Sequence, residues 1–70
     1  MATPRDANEH LPHPLLYRPV RDIASGRRGV LMAVVHEEVG YGRWQDIAYI
    51  RPPRGGRETT TAVANIEAWA

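Results

Sequence analysis

The sequence predicts a mainly β fold: a small antiparallel β-barrel or curled sheet of four to five strands, closed by a short C-terminal helical turn. Three observations predict it. Apolar and β-branched residues gather in short runs of strand length. Turns rich in Gly and Pro separate those runs. Only the last nine residues carry the spacing of a helix face.

Taken in order, residues 1–14, "MATPRDANEHLPHP", read as a flexible tail before a single small β domain over residues 15–70. Three prolines and mixed charge leave little apolar surface to offset the entropy of ordering. "LLYRPVRDI", residues 15–23, is the first strand expected. Pro19 has no backbone donor, so it suits an edge strand or a bulge rather than a central strand. "ASG", residues 24–26, is turn chemistry.

Residues 27–39, "RRGVLMAVVHEEV", form the strongest element. Strict alternation puts Val30, Met32 and Val34 on one face and Leu31, Ala33 and Val35 on the other. Such a strand is covered on both sides, curls through a barrel, or meets another subunit. Periodicity alone leaves a helix open for so short a run. Val30, Val34, Val35 and Val39, with glycines at both flanks, favour a strand.

"GYGRW", residues 40–44, reads as a loop, and "QDIAYIRP", residues 45–52, as the next strand. A four-residue turn at Pro53–Gly56 would set Arg51 opposite Glu58 as a cross-strand ion pair on the returning strand, residues 57–62. In "TAVANIEAWA", Ala62, Val63, Ile66 and Trp69 share one helix face, with Thr61 placed to cap it. Trp69 would pin that short helical turn to the barrel, since a helix of this length is marginal alone.

Seventy residues make one domain at most, and a chain of this size buries only about 60% of its unfolded surface. With no cysteine, disulfides and thiolate metal sites are excluded. A well-packed core or a partner chain remains as the source of stability. A cysteine-free chain suits a reducing compartment. The longest apolar run, residues 30–35, is far short of the ~20 residues of a membrane span, and the N-terminus lacks the apolar core of a secretory signal. No membrane association is expected, and a cytoplasmic location is.

Net charge is +1, too low for a dedicated DNA-binding domain. All nine basic residues are arginine. That composition follows either from selection for bidentate anion contacts or from a GC-rich genome, which the abundant Ala, Gly and Pro also suggest.

No catalytic residue and no cofactor are expected. The acids are scattered, Ser25 has no signature around it, and neither a P-loop nor a dinucleotide fingerprint occurs. A domain this small also leaves little room for a pocket of a few hundred Å³. His10 and His13, with His36 and Glu37, are too generic in spacing to specify a metal. "HEEV", residues 36–39, is a solvated strand end or an acidic patch for a basic partner.

Two places invite recognition. Tyr41 and Trp44 are either caps on the core or an exposed aromatic surface of the kind enriched at interfaces. "RPPRGG" is either hairpin punctuation or an anion site. Arg54 and Arg57 would converge with Arg27 and Arg28 only if both turns lie at one end of the fold. The function expected is a non-catalytic binding or regulatory module. Its partner is a protein, another copy or a larger one, with nucleic acid at the arginine turns as the alternative.

At "RPVRD", "SGRRGVLM" and "AYIRPPRGGRE" the chain resembles a group of short actinobacterial (Streptomyces-like) proteins without an assigned activity. Their pattern runs Arg-Pro-Val-x-Asp, Thr/Ser-Gly-Arg-x-Gly, then Leu-Arg-Pro-x-Gly-Gly-Gly-x-Glu-Trp. The matching positions are Arg18 to Asp22, Ser25 to Gly29 and Ile50 to Glu58, within residues 17–58. Thr59 replaces the final tryptophan, Gly55-Gly56 is one glycine short, and the stretch from Glu37 to Trp44 is longer. The strand order also resembles Src-homology-3-like (SH3-like) modules, a likeness of fold that hosts many functions.

Overall fold

The computed structural model describes residues 8–69. Six strands form one antiparallel sheet: β1 (Glu9–His10), β2 (Pro19–Asp22), β3 (Arg28–Gly40), β4 (Arg43–Arg51), β5 (Thr59–Ala62) and β6 (Ile66–Ala68). They lie in the order β5-β4-β3-β2-β6, with β1 beside β3 upstream of β2. The sheet curls without closing into a barrel.

β3 and β4 are the backbone of the fold, paired from Val30↔Arg51 to Gly40↔Arg43. A bulge between Leu31 and Ala33 changes the expected alternation. Met32 is the extra residue, so Leu31 and Val34, three apart, turn to the same face. That face holds the core: Val20, Leu31, Val34, Ala48 and Ile50 are buried. Full burial of Leu31 or Ile50 is worth roughly 1.5–3 kcal/mol each. Leu11, Leu15, Leu16, Val63 and Ile66 pack around them. The second face of β3 is also covered within the chain: Val35 and Ile47 are only 9% exposed.

Three sequence expectations change. The sheet begins inside the stretch assigned to the tail, since Glu9 and His10 pair with His36 and Val35 and Leu11 N–H donates to Val34 O at 2.8 Å. Residues 1–7 of that stretch lie outside the described residues. Residues 14–17 turn rather than extend. His13 Nδ1 accepts from Leu15 N–H at 3.0 Å, and Tyr17 takes a φ of 66°, which lets its N–H reach Leu31 O. The strand therefore starts at Pro19, whose missing donor is tolerated at a first position.

At the C-terminus the helical turn is a single 3-10 turn, Val63–Asn65, and Ile66–Ala68 is strand. β2 has a free edge that β6 fills, Val20↔Ala68 to Asp22↔Ile66, satisfying backbone groups that a helix would leave exposed. Ile23 N–H also donates to Asn65 O. Thr61 caps nothing; its hydroxyl donates to Asp22 Oδ1 at 3.0 Å.

That bond draws the two sides of the curl together, because Thr61 lies on β5 and Asp22 on β2. Asp22 is 8% exposed and also accepts from Ser25 Oγ at 2.6 Å and Ala24 N–H at 3.2 Å. The Ser25 hydroxyl first, then Thr61 and the turn amides, hold its carboxyl below the ordinary 3.8, against the upward push of burial.

Candidate functional site

Two surfaces collect the candidate residues, one at each end of the β3–β4 hairpin. Beyond His36 and Ile47, among the described residues, these strands pair only with each other. The result is a two-stranded ribbon over residues 37–46, and the molecule measures 40 Å along its long axis against 23 and 21 Å across.

The ribbon is stiffened locally. His36 Nδ1 lies 2.8 Å from Asp46 Oδ1, and the His36 ring stacks on Trp44 at 5.2 Å between centroids and 17° between planes. Trp44 is thus strand, not loop, and half-buried on a ribbon face rather than in the core. A second bulge, between Glu38 and Gly40, leads into the two-residue turn Tyr41-Gly42. Gly42 takes a φ of 70°, and its N–H donates to Glu38 Oε2 at 2.7 Å. Tyr41 stands at the tip, fully exposed, with Val39 46% exposed behind it.

At the base of the ribbon, on the second face of the sheet, is a cleft of about 540 Å³. The room that so short a chain was expected to lack is present. Met32, Ala33 and Val35 line it with apolar surface, and Glu9, Glu37 and Glu58 with carboxylates. Tyr49 donates its hydroxyl to Glu37 Oε2 at 2.6 Å. That bond, then burial and the charges of Glu37 and Glu58, push the phenol above its ordinary 10.0. Glu58 does not form the expected ion pair with Arg51, although the ladder from Ile50↔Thr59 puts the two next in register. Among the described residues the arginine–carboxylate ion pair is Arg21–Glu67.

The opposite end holds the arginine turns. Because Val30 pairs with Arg51, the β2–β3 turn with Arg27 and the β4–β5 loop with Arg54 and Arg57 lie at one end of the sheet. The condition for convergence is therefore met in position. Arg27, Arg28, Arg54 and Arg57 are all exposed. Gly55, at φ 77°, returns its N–H to Pro52 O at 3.0 Å, a tight reversal within that loop.

Sequence reasoning missed Trp69 here. It was expected to pack on the barrel from a helix. Instead its N–H donates to Pro19 O, and its ring lies under Arg28 and Arg21, 4.9 and 5.6 Å from the guanidinium carbons. Only the pairing of β6 with β2 brings these residues together, and no local pattern signals it.

Among the described residues, no group of three or more His, Asp or Glu is placed to hold a metal ion, and no helix is long and apolar enough to cross a membrane. Compared with family models, curated proteins and solved structures, the chain matches none.

Proposed function

We propose that the protein is a non-catalytic binding module that engages a protein partner, another copy of itself or a larger protein, through the β3–β4 ribbon. The observation that carries this reading is Tyr41, fully exposed at the tip of a ribbon tied by the His36–Trp44 stack and the Gly42–Glu38 hydrogen bond. An isolated two-stranded ribbon is marginal in water. Here specific contacts keep it ordered while its apolar tip stays in solvent, and burying such an aromatic is what an interface rewards. The acidic cleft at its base adds chemistry to the surface: an apolar floor for a methylene stem and carboxylates for a cationic head suit the Arg or Lys side chains of a partner.

The strand order β5-β4-β3-β2-β6, with a 3-10 turn before the last strand, resembles that of an SH3-like module, and the resemblance supports a binding role by analogy.

The test places a photo-crosslinking amino acid at position 41 and, as a control, at Thr60 on β5. Irradiation in cell extract, with light scattering on the purified chain, should give a discrete adduct from position 41 only. A monomer at every concentration, with equal or no adducts at the two positions, rejects the reading.

A further inference from the structure

The end of the molecule away from the ribbon carries a different chemistry. Net charge is only +1, yet the charges are segregated. Glu9 and Glu37 line the cleft, and Glu38 and Asp46 belong to the ribbon, which carries a single arginine, Arg43. Arg18, Arg21, Arg27, Arg28, Arg51 and Arg54 stand at or beside the opposite end. Three acids stand there: Asp22 is buried in its hydrogen bonds, Glu67 lies 3.3 Å from Arg21 Nε, and Glu58, next in register to Arg51, lines the cleft on the second face. A near-neutral total thus conceals one cationic end.

That end is also shaped. Pro19 and Trp69 line two clefts, each of about 400 Å³. One adds Arg28, Val30 and Pro53; the other adds Pro14, Leu15 and Arg18. Each cleft therefore has apolar walls, an arginine, and the Trp69 ring, 38% of whose residue surface is exposed. The guanidinium groups near that ring supply further flat cationic surface.

We infer that this end binds single-stranded nucleic acid, with successive bases entering the clefts on either side of the Pro19–Trp69 ridge and phosphates meeting Arg18, Arg28 and Arg54. Single-strand recognition needs cations that follow a backbone and flat surfaces for bases, and it is tolerant of sequence because every base has a stacking face. Duplex DNA does not fit this surface, since its bases are paired and stacked away from the clefts. An acidic polypeptide would use the arginines but gain nothing from the stacking surfaces. The inference is independent of the ribbon reading and concerns a different surface.

The experiment is fluorescence anisotropy of a dye-labelled twelve-nucleotide oligothymidine titrated with the full chain between 20 and 200 mM salt. Binding should fall in the range of about 10⁻⁴ to 10⁻⁵ M at physiological salt, with a log-log slope near −2 for three phosphates neutralised. Trp69→Ala should weaken binding about tenfold, and Trp69→Phe should restore most of it. The double change Arg18→Gln and Arg28→Gln should flatten the slope by about 1.4. Gln45→Ala, exposed on the ribbon at the far end, should change nothing. Circular dichroism checks each fold; should Trp69→Ala unfold, Trp69→Phe and the exposed arginine changes carry the test. No saturable binding at 20 mM salt, equal affinity for a duplex, or equal competition by polyglutamate would each overturn the inference.

Discussion

The two halves of the β3–β4 hairpin differ in what surrounds them. Over Val30 to His36, β3 pairs with β4 on one side, with β2 and β1 meeting the two ends of this stretch on the other, and the matching part of β4 is flanked by β5. From Glu37 to Asp46, among the described residues, the strands have only each other. The first half buries Leu31, Val34, Ala48 and Ile50, while the second buries no residue and exposes Val39 and Tyr41. One continuous ladder thus serves as core at one end and as presented surface at the other. The lesson is that strand length does not measure stability. Lateral neighbours do, because they bury the faces of the strand and satisfy its edges.

The largest contrast should come from truncating one large side chain in each half. Leu31→Ala removes a fully buried side chain and should cost about 3–4 kcal/mol, enough to unfold much of a 70-residue domain. Trp44→Ala should cost less than about 1 kcal/mol globally while raising amide exchange across residues 37–45, because it removes only the stack on His36. Urea melts and native-state exchange read both effects. Equal global losses would break the comparison.

Asp22→Asn acts on the curl rather than on the core. It leaves a single acceptor oxygen for Thr61 and Ser25 together, sets an amide donor in place of the other, and should cost about 1–3 kcal/mol. The carboxyl is held below its ordinary value in the folded state. Its contribution is therefore complete above the unfolded value of about 3.9, and it is lost as pH falls through the lower folded one. The urea midpoint of the parent chain should drop below about pH 4 by more than that of Asp22→Asn. Parallel acid profiles would show that the ionised Asp22 carboxyl does not stabilise the fold.

A side-chain hydrogen bond joins the halves where they meet. Tyr49→Phe deletes the bond to Glu37 and should cost about 1 kcal/mol. Because that bond raises the phenol above 10.0, its stabilisation is intact at lower pH and disappears as pH climbs through the raised value. In the parent chain, absorbance near 295 nm should contain a component titrating above pH 10 that Tyr49→Phe removes. Its survival in the variant would place Glu37 away from the phenol.

Much of this architecture is determined by the sequence alone. Residues 27–39 and 45–52, read as strands, are observed as Arg28–Gly40 and Arg43–Arg51, and the expected return over 57–62 is Thr59–Ala62. Even the register that sets Arg51 against Glu58 follows from a four-residue turn at Pro53–Gly56. The change from "VLMAVV" to "HEEVGYGRWQD" marks where lateral neighbours stop, since charged strands that pair only with each other leave both faces in water. These features are local: β-branching, alternation and turn chemistry act over a few residues.

Tertiary structure decided the rest, through pairings between distant residues. The bulge at Met32 set which apolar residues became core, a choice that strict alternation misses. Glu9–His10 joined the sheet only because β3 offered it an edge. Ile66–Ala68 became strand because the open edge of β2 needed hydrogen-bond partners, and helical spacing over so few residues is too weak to compete. That same pairing carried Trp69 under Arg21 and Arg28 and created the ridge between the two arginine clefts. A two-residue or three-residue strand has little propensity of its own, and its conformation is set by the backbone groups it meets.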